Sequence, residues 1–305
     1  MKQVAVSIGD LNGIGIQLAL EQHAMICELV KPVYCIDRAM LEQAANKLKL
    51  PIPENFRCVE GIAPFFTIRA GEVTKESGAY AYASFVKAVE LAKGGAVDAI
   101  TTLPIHKKAW ELADVKYKGH TDALRDFFKH DAIMMLGCPQ MYVALYTEHI
   151  PLKEVAGKLN VEDLARFFVD FYLSAKPQET VGVLGLNPHA GDDGVLGDEE
   201  RIIEEAIEKA HRRIGKKVFS APLVPDIAFT PRVRARYTHF IAMYHDQGLA
   251  PLKALYFDEG INVSLNLPIL RTSVDHGTAF DVAYREFRLN ELSYINAIKY
   301  IKENR

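Results

Sequence analysis

Val4-Ala5-Val6-Ser7-Ile8-Gly9-Asp10-Leu11-Asn12-Gly13-Ile14-Gly15 is a β-rich apolar run that breaks into glycines and then enters an amphipathic segment reaching about Glu28. Val4, Val6 and Ile8 are β-branched, as a buried strand favours. The glycines permit a tight turn, and the residues from Ile14 onward suit a helix. The stretch therefore reads as strand, turn and helix, and the same order recurs along the chain. Val33–Ile36 reads as a strand before a helix from about Arg38 to Leu48. Ser77 is placed to cap a long helix that Gly94-Gly95 ends, and Val97–Ile100 returns as a strand. Further strands are expected over 132–136, 142–146, 181–186, 240–243 and 261–265, with helices over 161–174, 198–214 and 278–287. Such alternation predicts an α/β fold with largely parallel sheets.

The chain has 305 residues, enough for one large domain or two lobes. Hydrophobic residues make up 49% and charged residues 25%, with a net charge of −3 and no basic tail, which gives nucleic-acid binding no support. Cys27, Cys35, Cys58 and Cys138 are scattered without CxxC spacing, so reduced thiols are expected in place of a disulfide framework or zinc knuckle. No signal-peptide pattern and no membrane-length apolar run is visible, so a cytoplasmic protein is expected.

In parallel sheets ligands bind beyond the carboxyl ends of the strands. Polar motifs recur there: Thr101-Thr102-Leu103-Pro104, Asn187-Pro188-His189-Ala190-Gly191 and Tyr244-His245-Asp246-Gln247-Gly248. The region from Tyr244 to Asp281 is the densest, adding Lys253, Asn262, Arg271, Asp275 and His276 in segments read as loops around short apolar runs. Lys and Arg hold phosphates or carboxylates, and imidazole binds divalent metals. His149, His189 and His245 all sit at strand ends or turns, where they would make either a shared metal site or three separate solvated histidines. Asp246 and Asp275 fit either partners that orient His245 and His276 or plain turn residues. Gly9–Gly15 suits a close approach to phosphate or a structural turn, and it lacks the GxGxxG spacing. Thr121, in Gly119-His120-Thr121-Asp122, fits a helix N-cap or a helix start that faces an anion. No GxSxG elbow or activated cysteine favours covalent catalysis.

Together these motifs, in order from Ile8-Gly9-Asp10 to Arg271–Ala279, resemble the 4-hydroxythreonine-4-phosphate dehydrogenase family of pyridoxal 5'-phosphate biosynthesis, over almost the whole chain. The resemblance implies two α/β/α lobes with a central cleft, as in isocitrate and isopropylmalate dehydrogenases. Residues 1–125 plus 275–305 would form the first lobe, and 126–274 the second, carrying most metal and substrate motifs. It further implies His149, His189 and His245 as ligands of one divalent metal (zinc, magnesium, cobalt or manganese). His120, Thr121, Lys253, Asn262 and Arg271 would contact substrate. Asp10, Gly13 and Asp275 are expected to approach NAD or NADP. The implied assembly is a homodimer with a shared site, His245 serving the neighbouring copy's metal. The implied reaction oxidises 4-phosphooxy-L-threonine and decarboxylates the product to 3-amino-2-oxopropyl phosphate. A sister dehydrogenase acting on a phosphothreonate or phosphoerythronate is the alternative, with a metal-dependent phosphatase or a non-catalytic metabolite binder behind it. Two departures stand out: Leu11-Asn12-Gly13-Ile14-Gly15-Ile16-Gln17 replaces the family's usual PAGIGPE, and Val282-Ala283-Tyr284-Arg285 replaces a common Ala-Gly pair.

Overall fold

The computed structural model describes residues 1–304. In chain order the elements are β1 (Gln3–Ser7), α1 (Gly15–Leu29), β2 (Lys31–Cys35), α2 (Arg38–Leu48), α3 (Lys75–Lys93), β3 (Ala99–Thr102), α4 (Lys107–Leu112) and α5 (His120–Phe128). Next come β4 (Ile133–Cys138), β5 (Met141–Leu145), α6 (Val155–Lys158), α7 (Val161–Ala175), β6 (Gly182–Val183), α8 (Glu199–Ile214), α9 (Pro225–Ala228), α10 (Pro231–Arg234), β7 (His239–Ala242) and α11 (His245–Tyr256). The chain closes with β8 (Ile261–Leu265), β9 (Leu270–Val274) and α12 (Leu292–Glu303).

Two compact units result. One holds Met1–His130 and the chain from Ile261 onward; the other holds Asp131–Gly260. In the first unit the strand order is β2-β1-β3-β9-β8, and in the second β4-β5-β7-β6. Pairing is parallel except for β4 with β5 and β8 with β9. The expected lobe boundaries at 125/126 and 274/275 move to 130/131 and 260/261. The physical reason is β8, which pairs antiparallel with β9 and so belongs to the first unit.

The first sheet is covered on both faces. Val4 and Val6 of β1 pack with Ile16, Leu41, Tyr294 and Ile298 from α1, α2 and α12. Ala5 and Ile100 point the other way, toward Phe85 and Trp110 of α3 and α4. In the second unit, Val143 and Leu145 of β5 join Phe240 and Ala242 of β7 with Leu249 and Leu252 of α11. These near-continuous apolar runs are what two-sided burial demands.

Several local expectations are corrected. Thr74, not Ser77, caps α3, its side chain accepting from the Ser77 amide. The segment from Leu270 to Val274 is a central strand, and His245–Tyr256 is a helix with Pro251 inside it, where loops were expected. Residues 278–287 form turns and no helix. Ala279 (φ 43°) and Tyr284 (φ 58°) are left-handed there, and tertiary contacts override the helical pattern. One such contact joins the two departures from the family pattern: Tyr284 Oη donates to the Leu11 carbonyl at 2.7 Å. The four cysteines are free. Among the described residues no helix is long and apolar enough to cross a membrane.

Candidate active site

Arg271 is the central charge of the first unit. Its side chain is only 2% exposed, yet it has no carboxylate partner among the described residues. Thr102 Oγ1 accepts from its Nη2 at 2.7 Å and from its Nε at 3.2 Å, while Ser264 Oγ accepts from Nη1 at 3.1 Å. Strand register explains the grouping: Ser264 lies opposite Arg271, and Thr102 and Asn262 both lie opposite Ser273, so all share one sheet face. Burial pushes the guanidinium down to about 9, so it stays a cation at neutral pH. Hydroxyl dipoles offset part of its desolvation, but no negative charge does. An anionic ligand would complete it.

His120 opens α5 against the same face. Its ring sits edge-on to Phe85 at 4.8 Å and Trp110 at 5.3 Å between centroids. Burial, then the charge of Arg271, push its pKa well down, which keeps it neutral. His120 Nε2 and Asn262 Oδ1 are buried without a partner among the described residues. Such groups are normally satisfied, so both fit hydrogen bonds to a ligand. Thr121 is the second residue of α5 and not its cap; Gly119 is, with no side-chain cap bond. Lys253 lies in the second unit, on α11.

In the second unit the three histidines follow adjacent parallel strands: His149 after β5, His245 after β7 and His189 after β6. Hydrogen bonds tie these loops together. Thr147 Oγ1 donates to the Met243 carbonyl at 2.7 Å, and the Met243 amide donates to Gln247 Oε1 at 2.7 Å. Gln247 Nε2 then donates to the Gly185 carbonyl at 2.6 Å, at the root of the His189 loop. The rings of His149 and His245 stand 5.5 Å apart. Asp246 Oδ1 meets His245 Nδ1 at 2.6 Å, which leaves Nε2 for a ligand, as metal-binding histidines are commonly oriented. His189 does not join them: among the described residues no three His, Cys, Asp or Glu side chains gather as a metal site. His245 stands beside His149 of its own chain. Two neighbouring imidazoles, one of them oriented by a carboxylate, fit a divalent ion as part of its ligand set.

His189 itself sits in an unusual turn. His189, Ala190, Gly191, Asp192 and Asp193 all have positive φ, between 46° and 81°. Each non-glycine residue in that region costs roughly 1–2 kcal/mol, and such strain concentrates at functional sites.

Asp10 and Gly13, expected near a cofactor, are closely packed in the turn after β1. A Cβ at Gly13 would meet the Thr278 carbonyl at 2.8 Å, and Asp10 is fully buried, accepting from the Asn12 amide at 2.9 Å and Ser77 Oγ at 3.1 Å. Asn12, where the family has Ala, is buried too. It accepts from the Arg69 amide and donates to the Glu72 carbonyl, stapling that loop. Asp275 stays half-buried. The expected Asp275–His276 partnership is not seen in the ring bonds; His276 Nδ1 meets the Gly277 carbonyl at 3.1 Å. Sequence reasoning missed Thr102 and Ser264 as Arg271 partners, and it passed over His106. That ring stacks on Phe280 at 4.9 Å, with Nδ1 buried and unpartnered, as is His276 Nε2.

Burial pushes the Asp10 carboxyl up to about 6, against the lowering effect of its hydrogen bonds. The folded state thus holds this proton more tightly than the unfolded chain. The stability contribution is full below about pH 4 and is lost as pH rises through about 6. Asp10→Asn should remove that dependence, gaining on the order of 3 kcal/mol relative to the parent between about pH 4 and pH 7. Urea unfolding of both proteins at the two pH values checks this; parallel stabilities would count against it.

The α/β protein thus carries, in one unit, a buried cation suited to a small anion and, in the other, an imidazole pair at strand ends of the kind that can take part in a metal site. The comparisons identify the family. A profile for "Pyridoxal phosphate biosynthetic protein PdxA" matches residues 28–301. A protein of Sulfurimonas denitrificans named 4-hydroxythreonine-4-phosphate dehydrogenase is 58% identical, covering 97% of this chain and 96% of its own length. One of Campylobacter fetus subsp. fetus with the same name is 50% identical over 98% and 97%. The crystal structure of a 4-hydroxythreonine-4-phosphate dehydrogenase from Burkholderia phymatum superposes with a TM-score of 0.83 at 30% identity, covering 100% and 99%. The chain belongs to the PdxA family of pyridoxal phosphate biosynthetic proteins.

Proposed function

We propose that this chain oxidises 4-phosphooxy-L-threonine with NAD or NADP and a divalent metal, and decarboxylates the product to 3-amino-2-oxopropyl phosphate. The observation that carries this reading is Arg271, a buried cation held by hydroxyls with no anion beside it among the described residues. A phosphate supplies the missing charge and accepts from the planar guanidinium fork. Asn262 and the neutral His120 Nε2 offer hydrogen-bonding groups to the same substrate. Thr121 and Lys253 complete the proposed set of substrate contacts. Family membership supports the set, since these residues occupy the motifs that carry the resemblance.

His149, His189 and His245 would hold the metal. Because no three such side chains gather among the described residues of one chain, the set would be completed in a homodimer, with His245 serving the neighbouring copy's metal. The exposed apolar side chains beside the His189 turn support such docking: Val195 is 78% exposed, and Ile227 of α9, which packs on the turn, is 51% exposed. For the dinucleotide, the unpartnered His106 Nδ1 and His276 Nε2, the ring of Phe280 and the carboxylate of Asp275 fit the edges and faces of heteroaromatic rings and a ribose. When bound, the ion supplies Lewis-acid polarisation of the reacting hydroxyl, and the nicotinamide supplies a hydride acceptor. The chain's own work is to fix the phosphate on Arg271, to keep His120 neutral beside that charge, and to exclude water from the buried sheet face.

The test is NADH or NADPH formation with 4-phosphooxy-L-threonine, phosphothreonate and phosphoerythronate, before and after metal removal. Metal-dependent turnover of the first substrate in preference to the others is expected. Preference for a different one moves the assignment to a sister dehydrogenase. Phosphate release without nicotinamide overturns the oxidoreductase reading.

A further inference from the structure

The left-handed turn that carries His189 is wound around one buried carboxylate. Glu200, in the first turn of α8, is 6% exposed and has no Lys or Arg partner among the described residues. Its Oε1 accepts from the Leu186 amide at 2.8 Å and the Asn187 amide at 2.7 Å, and its Oε2 accepts from Asn187 Nδ2 at 2.9 Å. The neighbouring Glu199 Oε2 accepts from the same Asn187 amide group at 2.7 Å. Space is as tight as the bonding. A Cβ at Gly191 would meet the Gly197 carbonyl at 2.6 Å and Glu200 Oε2 at 2.7 Å, and one at Gly197 would meet Asn187 Nδ2 at 2.3 Å. The Ala190 Cβ would lie 3.1 Å from a Cβ on Gly185, on the strand side of the turn.

A run of left-handed residues persists only where its surroundings over-determine it. Here the over-determining group is a carboxylate that accepts three N–H bonds at the entry of the turn, aided by its place at a helix N-terminus. The chemistry-bearing side chain at the start of that turn is His189. We infer that Glu200 is a positioning residue: it winds the turn from Pro188 to Gly194 and thereby sets the direction of the His189 imidazole. This rests on the proposal that His189 is a metal ligand.

Glu200→Gln keeps the size and one acceptor oxygen but turns an amide donor toward Asn187, whose own groups there are donors. Titration of Co2+ into the metal-stripped full-length protein should show affinity weakened roughly 10- to 100-fold. The visible bands of bound Co2+ should shift in the same direction as in His189→Ala. In the double variant the Glu200 effect should vanish, since a residue acting through His189 has nothing left to position. An undiminished Glu200 effect in that background, or unchanged Co2+ affinity in Glu200→Gln, overturns the inference. Unchanged Co2+ affinity in His189→Ala instead overturns the metal-ligand reading itself. If Glu200→Gln does not fold, Asn187→Ala, which removes the donor shared by both carboxylates, enters the same cycle with the same two deciding outcomes.

Discussion

Arg271→Met is expected to lose activity without losing stability. Methionine fills a similar volume without charge, so the variant sheds an uncompensated buried cation that is offset only by Thr102 and Ser264. Removing one member of a buried charged contact costs about 2–5 kcal/mol, so kcat/KM should fall roughly 30- to several-thousand-fold. The ligand-free protein should hold its stability or gain on the order of 1–2 kcal/mol, because apolar replacement of buried ionic groups is often neutral or better. Steady-state kinetics and urea unfolding of the same preparations read both effects. A variant that loses stability along with activity would mean that Arg271 is a structural group whose cost the fold already meets without a ligand.

The second large effect is expected at the imidazole pair. His245→Ala and His149→Ala should each weaken Co2+ binding by more than about 100-fold, because changes in outer groups alone cost 10- to 100-fold. Metal-dependent turnover should fall with it. The double variant should be little worse than either single one, since ligands of one ion act as a unit. Calorimetric titration of metal-stripped protein measures this. Additive losses would indicate two independent sites, and unchanged affinity would remove the pair from the metal chemistry.

Much of the fold is legible because burial writes itself into strand composition. Val4–Ile8 and Phe240–Met243 read as two-sided apolar runs, and both are strands. Legibility fails where a polar residue lies inside a strand. Leu270-Arg271-Thr272-Ser273-Val274 reads as a loop, yet its arginine and hydroxyls pair across the sheet with Thr102, Ser264 and Thr101. The same gap hides the partners of Arg271, because cross-strand register cannot be read from one strand alone. The helical pattern of 278–287 misleads for the opposite reason. Tyr284 reaches Leu11 and Phe280 reaches His106, long-range contacts that the local period does not encode.

Within the candidate site, residue types are legible but groupings are not. His149, His189 and His245 look equivalent in sequence; the chain pairs two of them and sets the third in a left-handed turn. Glu200 was unmarked because it resembles any acidic residue in the first turn of a helix. Only its burial and its three N–H donors separate it from Glu199 and the exposed acids of α8.

The most direct measurement of the central claim, that Arg271 holds the substrate's phosphate, is a ratio. It compares kcat/KM for 4-phosphooxy-L-threonine with kcat/KM for its unphosphorylated counterpart, in the parent and in Arg271→Met. If Arg271 holds the phosphate, the parent strongly prefers the phosphorylated substrate and the variant loses most of that preference. An equal preference in both proteins, whatever the absolute rates, would place the phosphate elsewhere and contradict the assignment.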